Sequence, residues 1–256
     1  MAELPTRAEP TALLAEVRER TPARILVGGS ALAYRSDTLL SLRADHAAAR
    51  DAVWAEIELE RDLPGLGLFE VSTRAANKQE YLLRPDLGRQ LDDDGCAALR
   101  RRCPTGIDLQ VLVGDGLSAA AVAAQVPGLL PLLLEQARSR DWATGQTFLV
   151  RHCRVGVLND VGVLLDPVVA VLLIGERPGL ATAESLSAYL AYRPRQGDTD
   201  AKRNLISNIH ARGVVIEQAA ARILALAGRM RLLGTSGVAV KEELPDTAGL
   251  LGAEKS

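Results

Sequence analysis

The stretch Leu109 to Ala121, LQVLVGDGLSAAA, decides the fold class. Leu109–Val113 is a short apolar run rich in β-forming residues and reads as a strand. Gly114-Asp115-Gly116 turns the chain. Ser118 then stands where a helix N-cap is wanted, because its hydroxyl can accept one of the free N–H groups of the first turn. Helix-forming residues continue through Arg138. A strand that runs through a glycine turn into a long helix is the unit from which parallel sheets are built.

Toward the C-terminus, Phe148 to Val157 reads as the next strand. Val168 to Ile174 reads as a third, and its unbroken apolar run predicts burial on both faces. Ser187 to Tyr192 reads as a fourth, and Ile216 to Leu232 as a closing helix, apolar at Ile223, Leu224, Leu226 and Ala227. Toward the N-terminus, residues 84–105 are charged and broken by Pro85, Gly88, Gly95 and Pro104, as a connector would be, with a helix at 95–102. Before it come helices at 11–20 and 44–60, a loop at Asp62–Gly67, and strands at Arg24–Val27 and Leu68–Ser72. The predicted class is α/β. A Rossmann-like, open, mostly parallel sheet with flanking helices occupies residues 105–256, and a smaller, mainly helical region precedes it over residues 1–104.

Composition narrows the function. With 256 residues, 48% of them hydrophobic, the chain can bury a full core. Thirty basic and 32 acidic residues give a net charge of -2, and aromatics are 3%. That balance excludes a general nucleic-acid binder, which needs a basic stripe or stacking platforms. No apolar run approaches the roughly 20 residues of a membrane helix, and MAELPTRAEP carries no apolar signal core. A soluble, intracellular protein is expected. Cys96, Cys103 and Cys153 form no CxxC pair, which fits a reducing compartment.

Three segments hold candidate chemistry. Gly114-x-Gly116-x-x-Ala119 sits in the strand–turn–helix context of a dinucleotide fingerprint. It lacks the acidic residue that should hold a ribose at the end of the next strand, since Glu135 lies in the same helix. The turn therefore stays open between a nicotinamide-type site, a turn holding another phosphate-bearing cofactor, and a structural turn. A free-standing, NAD-like nucleotide-binding domain is the alternative functional reading. In VVAVLLIGERPGL (168–180), Glu176 and Arg177 follow a buried strand, where ligands meet open α/β sheets; a solvated turn is the alternative. In DTDAKRNLISNIHARG (198–213), Asn204, Ser207, Asn208 and His210 either tie up loop backbone or contact a ligand or partner. There is no HExxH, GxSxG, GxxxxGK[ST] or zinc spacing. His152 and Cys153 are neighbours in a predicted strand and so face opposite ways. Spacing alone shows no self-contained active site.

Taken together, LQVLVGDGLSA, VLLIGERPGL and TDAKRNLISNIHARG resemble the small subunit of ethanolamine ammonia-lyase. HAAARDAVWAE (46–56), EYLLRPDLGRQL (80–91) and SLSAYLAYRPRQGDTD (185–200) fit the same family, and the resemblance covers roughly residues 20–232. It implies an enzyme subunit without catalytic residues of its own. The partner large subunit, a β/α barrel, binds ethanolamine. The small subunit closes over adenosylcobalamin at the interface, and the family assembles from six large and six small subunits. The products are acetaldehyde and ammonia, and the enzyme is expected in the cytoplasm or in a bacterial microcompartment. Cobalamin contacts carry over to Val155 in RHCRVGVL, to Glu176 in GERPGL and to Leu205 in RNLISNI, where the family usually has Cys. The family's usual Arg and further Gly are absent from LVGGSALAYRSDTLL near the N-terminus.

Overall fold

The computed structural model describes residues 16–17, 19, 29–30, 33–178 and 183–242. The predicted strand Arg24–Val27 and most of the predicted helix 11–20 lie outside these residues. A two-stranded ribbon, β1 (Gly29–Ser30) and β2 (Ala33–Tyr34), leads into helix α1 (Ser36–Trp54). A short helix α2 (Leu59–Asp62) follows, then strand β3 (Phe69–Ser72), helix α3 (Lys78–Leu83) and helix α4 (Asp93–Arg102). The remainder runs β4 (Leu109–Gly114), α5 (Ala119–Arg138), β5 (Phe148–Arg151), α6 (Val157–Leu165), β6 (Val169–Gly175), β7 (Leu186–Tyr192), β8 (Arg203–Ile209) and α7 (Ile216–Leu233).

One six-stranded sheet takes the order β3-β5-β4-β6-β7-β8. The three pairings from β3 to β6 are parallel, and β7 and β8 are antiparallel additions. The mostly parallel open α/β sheet expected from the strand–helix alternation is thus present. β3 pairs with β5, so the sheet takes one strand from the chain before residue 104 and five from the chain after it.

Helices α5 and α7 pack on one face of the sheet, α4 and α6 on the other, each over its own apolar cluster. The central strands β4 and β6 are buried at every position, as continuous apolar runs between two helical layers must be. Ser118 caps α5 by accepting the Ala121 N–H at 3.1 Å. α5 has 20 residues and a mean hydropathy of 1.2, so length and composition alone would let it cross a membrane. Here it packs against β4, β6 and α7, and Val122, Val126, Leu129 and Leu133 are fully buried.

Two expectations need correction. The strand expected over Phe148–Val157 stops at Arg151. His152 takes φ 51°, a left-handed conformation that ends an extended run, and the chain re-enters a helix at Val157. Buried Val157, Leu158, Val161, Gly162 and Leu165 fall on one helical face. Val155 and Val157 flank Gly156 as alternating strand residues would, which is why the extended reading ran on to Val157. The second concerns RNLISNI, where the sequence left loop backbone and ligand contact both open and predicted no strand. It is the edge strand β8, with Ile206 and Ile209 buried and Leu205, Ser207 and Asn208 exposed. Its Asn204 does bind backbone, donating to Val240 O at 2.7 Å and accepting the Gly237 N–H at 2.6 Å.

Candidate functional site

Because β5, β4 and β6 are parallel, their carboxyl ends share one edge of the sheet. β4 leads through α5 toward β5 on one side, while β6 leads toward β7 on the other. Where connections diverge in this way, a crevice opens beyond the strand ends. A cleft of about 400 Å³ lies there. Leu117 comes from the turn after β4, Cys153 to Val155 from the turn after β5, and Ile174 to Arg177 from the end of β6. Tyr81 of α3 and Tyr189 of β7 close its sides.

Glu176 is half-buried and is the first residue past β6. Its N–H donates to Ser185 O at 3.1 Å, and its carboxylate accepts the hydroxyl of buried Ser187, with the Ser185 hydroxyl 3.5 Å away. A carboxylate held this way still has lone pairs free for a ligand. Burial, and then the negative charge of Glu176, raise the pKa of the Tyr189 phenol, so the phenol stays a neutral donor near the carboxylate.

The turn ends of β4 and β6 touch. A Cβ on Gly116 would lie 2.6 Å from Ile174 Cγ1, and one on Gly175 would lie 2.0 Å from Ser118 O. Ser118 Oγ also donates to Ala183 O at 2.5 Å. The glycines of the Gly114-x-Gly116 turn thus serve internal packing rather than close approach of a pyrophosphate. This favours the structural-turn reading over the nicotinamide one.

Val155 and Glu176, expected from different segments to contact one ligand, line this single cleft. Leu205 lies outside its lining. It stands on β8 directly opposite Tyr189, so it shares the sheet face of the cleft, 46% exposed.

A family model described as ethanolamine ammonia-lyase light chain (EutC) matches residues 11–241. The chain belongs to the ethanolamine ammonia-lyase small-subunit family. Proteins named ethanolamine ammonia-lyase small subunit are similar along most of its length. That of Fusobacterium nucleatum is 43% identical over 206 residues, 80% of this chain and 70% of the relative. That of Clostridioides difficile is 39% identical over 226 residues, covering 88% and 77%. That of Clostridium acetobutylicum is 36% identical over 228 residues, covering 89% and 94%.

Beneath the family's GDGLS turn lies a buried ionic cluster that the sequence did not reveal. Asp115 is fully buried. Its Oδ2 takes Arg151 Nη1 at 3.1 Å and the Ile57 N–H at 3.3 Å, while Lys78 Nζ stands 3.7 Å from Oδ1. Arg151 also pairs with Glu70 at 2.7 Å. Burial pushes the Asp115 carboxyl upward against the pull of Lys78 and Arg151, and pushes the Lys78 ammonium downward against the pull of Asp115. Lys78 belongs to a six-residue helix, too short for any periodicity to mark it as an inward-facing lysine. Tyr81 was missed for the same reason. Its segment, EYLLRPDLGRQL, fits the family, but nothing in it marks the ring as a cleft wall.

His152 and Cys153 do not pair. The imidazole contacts Ala75 O at 3.0 Å and Glu56 at 3.1 Å, and the fully buried Cys153 thiol has a pKa raised by desolvation. No group of His, Cys, Asp and Glu among the described residues could hold a metal ion. A second, polar cleft of about 310 Å³ lies at the start of α6, between Asn159 and Arg203. Arg203 donates to Asn159 Oδ1 at 2.9 Å and pairs with Asp200.

Proposed function

We propose that this chain is the small subunit of an adenosylcobalamin-dependent ethanolamine ammonia-lyase, and that its carboxyl-edge cleft forms part of the cobalamin site facing the large subunit. Supporting this is the meeting of Val155 and Glu176 in one cleft at the carboxyl ends of β5 and β6, with Leu205 on the same sheet face. The donor set suits one side of a corrin. Val155, Ile174 and Tyr189 offer apolar surface to the ring, and the Glu176 carboxylate can accept an amide N–H from its arms. The size argues for a shared site. A cobalamin exceeds the drug-sized ligands that pockets of about 300–1,000 Å³ enclose, so a cleft of about 400 Å³ can hold only an edge of it.

In this reading the cofactor, when bound, supplies one-electron chemistry through its cobalt–carbon bond. The chain's own residues do the rest by binding. Ser187 and Ser185 fix the carboxylate of Glu176, Val155 packs on the ring, and Leu205 extends the apolar face toward the partner. The family assembly of six large and six small subunits completes the proposal, with ethanolamine bound by the other chain.

The test is to titrate adenosylcobalamin into the co-expressed complex. A hydrogen bond to a charged acceptor is typically worth about 1.5–3 kcal/mol. Glu176→Ala should therefore raise half-saturation by about 10- to 100-fold, and turnover at saturating cofactor should fall much less. The chain without its partner should show no turnover. An unchanged half-saturation would remove Glu176 from the site.

A further inference from the structure

We propose that Lys78 and Tyr81 of helix α3 act as a two-point clamp that sets the spacing of the two turns walling the cobalamin cleft. The inference rests on the cofactor reading above and deepens it. The two side chains lie one helical turn apart and both are buried, Lys78 at 6% exposure and Tyr81 at 0%. Lys78 Nζ donates to Gly116 O at 2.8 Å, in the turn after β4. Tyr81 OH donates to Cys153 O at 3.0 Å, in the turn after β5. Lys78 grips the carbonyl just before Leu117 and Tyr81 grips that of Cys153, and both Leu117 and Cys153 line the cleft.

The two turns are also joined to each other. Asp115 N–H donates to Val150 O at 2.9 Å, and Cys153 N–H donates to Asp115 O at 2.8 Å. The clamp is held in turn. Asp115 Oδ1 stands 3.7 Å from Lys78 Nζ, and the Arg154 guanidinium stacks on the Tyr81 ring at 4.2 Å. Arg154 N–H also donates to Gly88 O at 2.7 Å, from the turn that follows α3. A buried lysine is costly to desolvate, and one used only for packing would be replaced by an apolar side chain without loss. The Lys78 ammonium instead donates to the Gly116 carbonyl and faces the Asp115 carboxylate. A short helix from the N-terminal region therefore positions both turns, which makes Lys78 and Tyr81 positioning residues for the cofactor edge.

The experiment uses the full complex with the large subunit, titrated with adenosylcobalamin and followed by its visible spectrum, alongside thermal unfolding and the ethanolamine KM. Tyr81→Phe keeps the ring and removes only the hydroxyl. We expect its cofactor half-saturation to rise by about three- to ten-fold, the scale of one lost hydrogen bond. Lys78→Met should do the same or more, and Lys78→Arg should recover part of the loss by restoring a donor. A purely structural role would lower the melting temperature and the yield of complex while leaving half-saturation unmoved, and that result overturns the clamp. If Lys78→Met fails to assemble, Tyr81→Phe alone decides. Wild-type complex that binds no adenosylcobalamin would overturn the cofactor reading itself, whereas wild-type binding with unaltered variants overturns only the clamp.

Discussion

Two neighbouring rows of side chains cross the same sheet, one on each face, and they differ in how they end. On the face covered by α5 and α7, the paired residues Leu149, Val113, Leu173, Ala188 and Ile206 are all fully buried. On the other face, Phe148, Leu112 and Leu172 are fully buried, Tyr189 is half-buried, and Leu205 is 46% exposed. The backbone register is the same for both rows. What differs is the helical cover. α7 reaches over β7 and β8, while α4 packs on β3 and α6 on β6. The second face is thus left open beside the carboxyl-edge cleft, on the side where Glu176 and Tyr189 stand. One row is closed at all five positions, while the other ends in a half-buried tyrosine and an exposed leucine.

The comparison breaks most sharply on the closed row. Leu173→Ala removes a fully buried side chain from the cluster under α5 and α7, and should cost about 2–5 kcal/mol of stability, read as a lowered urea midpoint. Next in size is the seam between the faces. Gly175→Ala forces a Cβ to within 2.0 Å of Ser118 O, so the strand end must shift. We expect about 1–3 kcal/mol of destabilisation together with weaker cofactor binding, because Glu176 moves with the strand. The smallest effect belongs to the open row. Leu205→Cys should change stability by less than about 0.5 kcal/mol, as surface substitutions do. If its contact is made through backbone, it should leave cofactor half-saturation within about two-fold. A stability loss at Leu205 as large as at Leu173 would erase the distinction between the faces.

Much of this was legible in the chain. β4, the turn, the Ser118 cap and α5 follow in LQVLVGDGLSAAA as strand, glycine turn and helix, since each step depends on local residue chemistry. The apolar run of β6 announced its double burial, and the sequence put Glu176 just past that strand. β8 was not legible, because an edge strand with one open face buries only Ile206 and Ile209 and otherwise reads as polar loop. α6 was hidden because its valines and glycines suit a strand as well as a helix, and His152's left-handed turn is fixed by contacts with Thr73, Ala75 and Glu56 rather than by its own preference.

The sequence by itself determined the α/β class, the position of Glu176 and, through its motifs, the family. Only the tertiary structure decided that Val155 and Glu176 share one cleft, and that Leu205 lies beside it through Tyr189. It also decided that Tyr81 forms one wall of the cleft and that Lys78 and Asp115 stand behind it. Local chemistry fixes strands, turns and caps over a few residues. The cleft is made by strand order, and strand order depends on long-range burial and crossover connections that no local pattern encodes.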